Sequence, residues 1–479
     1  MVGRRLGKLE ITKVTDKGVW VAKCECGKTV VFPRKRQQRV LTGKITSCGC
    51  DRMRKAFKFR IYPNARQQEA LAVQFGQARF VYNHFLTLKK KEYFENGHTL
   101  SLTEMQVLLK EMKQQDETVW LKEGHSQVLQ VSLRNLDRAY HNFFRMLREG
   151  TLPQKEGRPR QDGMPPGFPR YHSKRGKQTA TWPQGFEIEG SRIYLPKVGA
   201  IRAVFHRGLE GEIKNVTVSK TKSGKYFVSI QCEMEKPSFR FNGKPPVGVD
   251  LGLRRFATLS RTLPDGRTFI GHPNFLRKDE KKLKRLQRRL NRRQPGSRGR
   301  ERARLQVARL HERIANKRAC MLHQESHAIV SNFGAIGLET LHIKGMLKNH
   351  HLAKSISDSG WAGFVNAILY KAEWYGNYVE RKDRWFPSSK LCHKCGYLNK
   401  DLKSGQSFWI CPDCGTHHDR DDNAADTLEP QWQDLPPEWR EGLLACANGN
   451  ADGESRLQDE SPVALREVGS PPGTTAAAT

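Results

Sequence analysis

Two cysteine pairs, Cys392-x2-Cys395 and Cys411-x2-Cys414, stand fifteen residues apart within LCHKCGYLNK and WICPDCGTHH, and this spacing constrains the chain more than any other feature. A Cys-x2-Cys turn brings two thiolates to one point, and two such turns complete a tetrahedral four-sulfur site with no open position. A closed site is structural, so Zn2+ held here would fold the segment and take no part in chemistry. Quartets of this kind belong in a reducing compartment, where thiols bind metal and do not form disulfides. Of the eleven cysteines, four more cluster as Cys24-x-Cys26 and Cys48-x-Cys50, and three (Cys232, Cys320, Cys446) stand alone. Alternate residues of an extended strand share a face, so the first four, in a 27-residue window, read as a second Zn2+ site. Residues 1–52 hold only short apolar runs and need such a metal to keep a core.

Charge then narrows the partner. The 479 residues carry 84 Lys and Arg against 49 Asp and Glu, a formal net charge of +35. Positive charge on this scale fits a polyanion, because each neutralised phosphate releases condensed counterions. It is unevenly placed: residues 427–479 hold nine acids and three bases, so the body before them carries +41. That Pro-, Gly- and Ser-rich stretch lacks sustained periodicity and reads as a disordered acidic tail. No run approaches the roughly 18 apolar residues of a membrane span, and MVGRRLGKLEITK lacks the apolar segment of a signal peptide. A cytoplasmic protein with no membrane partner is expected. At 37% hydrophobic residues the chain has enough apolar matter for about three domains.

Periodicity supplies the elements. KAFKFRIYP alternates with period two, as a half-buried strand over 55–61 ended by Pro63. Leu71, Phe75, Ala78 and Tyr82 mark one face of a helix over 64–91, and helices follow near 103–114, with Thr103 and Gln106 as its capping box, and over 126–148. The Pro-, Gly- and base-rich stretch 151–186 reads as a linker or a loop along a phosphate backbone. From Phe186 to Met234 period two returns in an antiparallel unit, a small barrel, which the strand 55–61 completes. VGVDLGLRRFATLS is a strand, a turn and a strand. Residues 277–318 form two amphipathic helices joined by QPGSRG, with apolar seams at Leu283, Leu286 and Leu290 and at Val307, Leu310 and Ile314. The 18 bases and four acids of that hairpin would repel one another without an anionic partner.

Three carboxylates have settings that single them out: Asp250 within an apolar strand, Glu339 at the end of another in AIGLET, and Asp421 ahead of NAA at a helix start. An unpaired carboxylate in an apolar strand is costly unless it finds donors or a cation. Three of them converging suit Mg2+, which prefers oxygen ligands, and two such ions stabilise the attacking and leaving oxygens of a phosphodiester displacement.

In order along the chain, KAFKFRIYPN, QARFVYNHFL, GFPRYHSK, IYLPKVGAIR, KYFVSIQCE, VGVDLGLRRFATLS, IGLETL, SDSGW, YKAEWYG, FPSSKLCHKCG, WICPDCG and HDRDDNAA resemble the TnpB (OrfB) family of transposon-associated proteins, relatives of the type V CRISPR effector nucleases. The resemblance spans about residues 55–426. It implies an α/β plus β-barrel multidomain fold: a split RuvC-like nuclease of RNase H fold, a wedge-type barrel with an inserted helical recognition domain, and zinc elements. The implied divisions are 1–52, a four-cysteine module outside the family pattern; 53–62, the first wedge strand; 63–177, the recognition domain and basic linker; and 178–243, the wedge barrel. After these come 244–390, the RuvC-like domain with its basic hairpin 277–318; 391–416, the zinc ribbon; 417–426, the last RuvC motif; and the tail 427–479. The resemblance further implies an RNA-guided endonuclease whose partners are a guide RNA and double-stranded target DNA, read next to a short motif. Asp250, Glu339 and Asp421 match the three RuvC acids that hold Mg2+, Asp421 being favoured over Asp422 by the Asp-x-Asn register, and Cys392, Cys395, Cys411 and Cys414 match the Zn2+ ligands. A prokaryotic, nucleoid-associated setting follows. A compact type V CRISPR effector, a guided repressor without cleavage and a strand-joining transposase are the alternatives; the repressor would lack one of the acids. WVAKCECG and SCGC resemble a small phage-borne zinc module found beside DNA-binding or endonuclease domains.

Overall fold

The computed structural model describes residues 2–15, 18–43, 45–152, 163–237, 241–403 and 405–441. The chain opens with a small antiparallel sheet of β1 (Arg5–Leu6), β2 (Leu9–Val14), β3 (Trp20–Cys24) and β4 (Thr29–Phe32), followed by α1 (Arg34–Leu41). Leu9, Ile11, Trp20, Ala22, Phe32 and Val40 close its core beside Cys24. Two residues past Cys50, β5 (Arg52–Tyr62) begins.

A helical unit follows: α2 (Ala65–Asn96), α3 (Leu102–Met112) and α4 (Ser126–Arg148). Asn64 caps α2 in a reciprocal box with Gln67, and Gly97 ends it in the left-handed conformation, where glycine carries no Cβ penalty. The box of α3 is Ser101 with Glu104, not Thr103 with Gln106; both pairs have the right spacing, but only Ser101 stands outside the helix with extended backbone, as capping requires. Residues 163–177, part of the expected linker or loop, pack on α2. His172 stacks on Tyr82 at 3.8 Å, and Asn83 bonds its backbone twice, donating to its carbonyl at 2.9 Å and accepting from its N–H at 2.7 Å. This part of the stretch is strapped to α2; residues 153–162 lie outside the described residues.

β6 (Gln178–Trp182), β7 (Glu187–Glu189), β8 (Arg192–Leu195), β9 (Gly199–Val204), β10 (Glu212–Lys220) and β11 (Tyr226–Glu235) join β5 in a seven-stranded antiparallel sheet, ordered β6-β10-β11-β5-β9-β8-β7. β5 lies between β11 and β9, so the helical unit is inserted after its first strand. No ladder among the described residues joins β6 to β7, so backbone hydrogen bonds do not close a barrel; side chains from both edges, Ala180 and Trp182 on one and Ile188 and Ile193 on the other, meet in one core instead.

The last unit is a five-stranded sheet of β12 (Pro246–Asp250), β13 (Arg255–Leu259), β14 (Phe269–Gly271), then, after α5 (Phe275–Asn291) and α6 (Arg298–Asn332), β15 (Ala335–Leu338) and, after α7 (Ile343–Met346), α8 (His350–Ser359) and α9 (Trp361–Tyr375), β16 (Tyr378–Arg381). The order is β14-β13-β12-β15-β16, with β12, β15 and β16 parallel and the other pairs antiparallel. Val247, Val249, Ile336 and Leu338 pack with Ile329 and Val330 of α6 and Phe364 and Ile368 of α9. Leu283, Leu310 and Ile314 form the buried seam of the α5–α6 hairpin, and α6 continues past the expected 318 to Asn332 because its later residues enter the sheet core. A two-stranded ribbon, β17 (Phe408–Ile410) with β18 (His417–Asp419), feeds directly into α10 (Arg420–Leu428).

The expected disorder of 427–479 is corrected for its first part. Arg261 grips Glu429 through two nitrogens, Asp434 pairs with Lys382 at 3.0 Å, and Trp439, 1% exposed, packs with Leu435 on Ala335. Acidic composition concealed apolar anchors at Leu435 and Trp439 and acids that answer bases on the sheet. Residues 442–479 lie outside the described residues.

Candidate active site and metal centres

Asp250 ends β12, and Glu339 follows β15, one residue beyond the paired Val249 and Leu338. Side chains alternate along a strand, so Asp250 shares a face with Gly248, and Glu339 with Gly337. That face is covered by α10. A Cβ on Gly248 would stand 1.9 Å from the carbonyl oxygen of Ala425, and one on Gly337 1.8 Å from that of Leu428. The last turn of α10 therefore rests on the paired glycines, and Asp421, four residues before Ala425, lies about 6 Å back along the helix axis. Asp250 lies about the same distance beyond Gly248 along its strand. The first turn of α10 lies close enough for the Asp421 charge to act on the Asp250 carboxyl at the end of the sheet. Asp419 is the cap of α10, accepting from the N–H groups of Asp421 at 2.9 Å and Asp422 at 3.4 Å; this frees Asp421 from a capping role.

The Asp250 carboxyl feels the charges of both other acids. Burial, then the charges of Glu339 and Asp421, hold the Asp250 carboxyl well above the usual range, against the opposing pull of Arg420 and the Leu251 N–H. Burial pushes Glu339 up to about 7, with the Leu251 N–H opposing. Both residues are half-buried: solvent reaches them, but protein surrounds most of each carboxyl. Arg254 spans Asp419 at 3.2 Å and Asp421 at 3.5 Å, and Arg255 pairs with Asp422 at 2.5 Å, so Asp422 faces an arginine and not the cluster. The cluster is looser than the thiol quartets: among the described residues only the quartets bring three or more ligand atoms within 4.8 Å of one another, and Asp250, Glu339 and Asp421 stand farther apart than that. An all-oxygen set in which burial makes Asp250 and Glu339 resist ionisation is the donor chemistry a hard divalent cation relieves.

The thiols match Zn2+ more closely. A tetrahedron with bonds of about 2.3 Å has edges of about 3.8 Å. Cys392 to Cys414 is 3.7 Å, Cys395 to Cys411 is 3.5 Å, Cys24 to Cys50 is 3.8 Å and Cys26 to Cys48 is 3.3 Å. Gly396 and Gly415, each directly after a pair, take positive φ of 75° and 68° and turn the two knuckles. The ribbon is bolted to α10: Asn423, 2% exposed, donates to the Leu391 carbonyl at 2.7 Å and accepts from the His393 N–H at 3.1 Å.

Sequence reasoning missed Arg254, Asn423 and Asp358. Asp358, 1% exposed, accepts from the Leu276 N–H at 3.0 Å and pairs with Arg318 at 2.6 Å. It thereby supplies the amino-terminal cap that α5 lacks and ties it to α6. SDSGW stands out as a motif, but nothing in its spacing names the distant helix start it serves. Along α5, Lys281, Lys284, Arg285, Arg288, Arg289 and Arg292 line an open cleft.

Three family models match the chain: "Probable transposase" over residues 229–350, "Cas12f1-like, TNB domain" over 361–428 and "Helix-turn-helix domain" over 53–98. The last region is here one strand and one long helix, β5 and α2. A protein of Streptomyces pristinaespiralis named "Putative RNA-guided DNA endonuclease" is 34% identical over 381 residues, 78% of this chain and 88% of its own. InsQ of Escherichia coli K12, named in the same words, is 34% identical over 374 residues, 74% of this chain and 87% of its own. In a solved complex of Cas12f1 with guide RNA and target DNA, the protein is 12% identical with a TM-score of 0.46, over 79% of this chain and 99% of that one. No described helix is long and apolar enough to cross a membrane. At 34% identity over alignments that cover most of the length of two such relatives, the chain belongs to the TnpB (OrfB, IS605) family.

Proposed function

We propose that the protein is an RNA-guided DNA endonuclease whose cutting site is Asp250, Glu339 and Asp421. The observation that carries this reading is the Asp250 carboxyl, held above its usual range by burial and by the charges of Glu339 and Asp421, with Glu339 raised as well, at one end of a sheet ordered β14-β13-β12-β15-β16. That order, with three antiparallel strands followed by two parallel ones, is consistent with the RNase H fold of a RuvC-like domain. The relatives' names supply the reaction and its guide.

The guide RNA pairs with the target strand and provides sequence specificity, while basic surfaces such as the α5 cleft hold backbones. Asp250, Glu339 and Asp421 are the residues that would hold Mg2+, which when bound supplies charge stabilisation for the attacking and leaving oxygens. Arg254, bridging Asp419 and Asp421, orients the third carboxylate, and α10 sets its distance from the other two. The curled seven-stranded sheet serves as the wedge, and α2 to α4 as the recognition unit. Zn2+ held by Cys392, Cys395, Cys411 and Cys414 keeps the ribbon rigid so that Asn423 can fix α10; Zn2+ held by Cys24, Cys26, Cys48 and Cys50 folds the amino-terminal module.

The deciding experiment incubates guide-loaded protein with a plasmid bearing a matched target and Mg2+. Wild-type protein is expected to cut, and Asp250→Ala to bind the target with similar affinity without cutting. Mg2+-dependent cleavage by Asp250→Ala would overturn the assignment.

A further inference from the structure

Trp385 is 78% exposed, more than any other large apolar side chain among the described residues. An indole so open to water asks for a ligand, since tryptophan is ordinarily mostly buried. It lies in RKDRWFPSSK between β16 and the ribbon, in a loop that is not slack. The Trp385 N–H donates to the Asp383 carboxylate at 2.8 Å and the Phe386 N–H to the Asp383 carbonyl at 3.1 Å. The loop's root clasps Glu339 from both sides: the Lys382 N–H donates to the Leu338 carbonyl at 2.9 Å, and Thr340 Oγ1 donates to the Lys382 carbonyl at 2.8 Å. Arg384 reaches His342, three residues past Glu339, at 3.1 Å. Its guanidinium also lies over the Trp385 ring at 4.7 Å.

One face of the indole thus carries a cation and the ring as a whole remains open, on a loop anchored to the strand that bears a cutting-site carboxylate. Arg384 supplies the positive charge beside the ring, while Asp383 is engaged in its turn and Glu380 and Asp434 are paired with Lys382. An aromatic face beside a guanidinium is what an unpaired nucleotide needs, a surface for the base and a charge for the phosphate. We propose that Trp385 is a stacking platform for an unpaired base of the DNA strand entering the Asp250/Glu339/Asp421 site, a positioning residue that sets which phosphate reaches the carboxylates. The proposal rests on the nuclease reading above.

The test compares Trp385→Ala, Trp385→Leu and Trp385→Phe as full-length, guide-loaded protein in two assays: single-turnover cleavage of a matched plasmid with Mg2+, and anisotropy of a fluorescein-labelled dT20 strand without Mg2+. Base–aromatic stacking measured by alanine substitution corresponds to about a tenfold change. The Ala and Leu variants are expected to cut about tenfold or more slowly and to bind dT20 about tenfold more weakly, with Phe within about threefold of wild type and guide retention and melting temperature unchanged. Equal rescue by Leu and Phe would mean an apolar contact with protein, and wild-type behaviour of all three would mean no contact; either overturns the proposal, as does loss of guide binding or of stability. If wild-type protein itself does not cut, the nuclease reading fails, while the dT20 comparison still decides the role of Trp385.

Discussion

Gly248 and Gly337 face each other across the parallel β12–β15 pair, and the backbone of α10 rests on both. A methyl group at either position would meet a main-chain carbonyl at under 2 Å, and backbone cannot swing aside as a side chain can. Overpacking of this kind costs about 3 kcal/mol, and here it would also lift Asp421 away from its partners. Gly248→Ala and Gly337→Ala are expected to abolish plasmid cleavage and lower the denaturation midpoint. Gly76→Ala, where nothing lies within 4 Å of the added carbon in mid-α2, is expected to be neutral or to stabilise by up to about 1 kcal/mol. Equal effects at the two kinds of site would show that α10 is not seated on the glycines.

Asn423 joins the ribbon to α10, so Asn423→Ala separates metal binding from catalysis. The substitution leaves a buried N–H and a buried carbonyl short of partners, a cost of about 2 kcal/mol. The variant is expected to keep its full zinc content by mass spectrometry and its guide RNA, yet to cut at least tenfold more slowly. Loss of zinc in proportion to activity would make Asn423 a folding residue only.

Much of this arrangement was legible in the chain, and the unread part has one physical cause. Local patterns exposed the knuckles through Cys-x2-Cys-Gly, the long α2 through its period, and Asp250 through its apolar setting. The meeting of Asp250 with Glu339 follows from a parallel register that no local pattern encodes. Long-range choices were likewise hidden: Asp358 serves a helix start 82 residues away in sequence, and Trp439 belongs to the core although composition around it signals disorder. The capping box of α3 is Ser101 with Glu104 and not the expected Thr103 with Gln106, because both pairs share the spacing and only backbone conformation selects between them.

Asp358 carries the hairpin's geometry. Asp358→Ala would leave Arg318 without its buried partner and the α5 start uncapped, a loss of about 3–5 kcal/mol. Weaker guide binding at constant zinc content is expected, read by filter binding at several salt concentrations. Asp358→Asn, which can still accept from the Leu276 N–H, is expected to fall between. Unchanged guide affinity in both variants would detach the α5–α6 hairpin from RNA binding.

The two thiol quartets predict two zinc ions per chain by inductively coupled plasma mass spectrometry. Cys395→Ser is expected to remove one together with cleavage, since the ribbon holds α10. Cys26→Ser should remove the other and loosen residues 2–50 to limited proteolysis, while cutting persists, because β5 pairs with β11 and β9 independently of the module. A single zinc in wild-type protein would reduce one quartet to free thiols.

The raised carboxyls make folding stability depend on pH with a defined sign. Glu339 titrates at about 7 against an ordinary 4.5, so its folded form holds the proton more tightly than its unfolded form. Below about pH 4.5 both forms are protonated and there is no penalty; as pH rises the penalty grows, and above about 7 it is complete, roughly 3 kcal/mol for Glu339 alone. Asp250 shifts in the same direction. Protein in Mg2+-free buffer should therefore lose stability between pH 5 and pH 8, and Glu339→Gln should flatten that loss, both by removing one titration and by relieving Asp250 of a neighbouring charge. Mg2+ at pH 8 should restore the midpoint, since it binds the ionised carboxylates of the folded form, and should do little at pH 5, where protons compete for the same oxygens. Urea denaturation of wild-type and Glu339→Gln protein at the two pH values, with and without Mg2+, checks all four points. An equal pH slope in both proteins would place the titrating groups elsewhere and remove the electrostatic argument for a shared metal site.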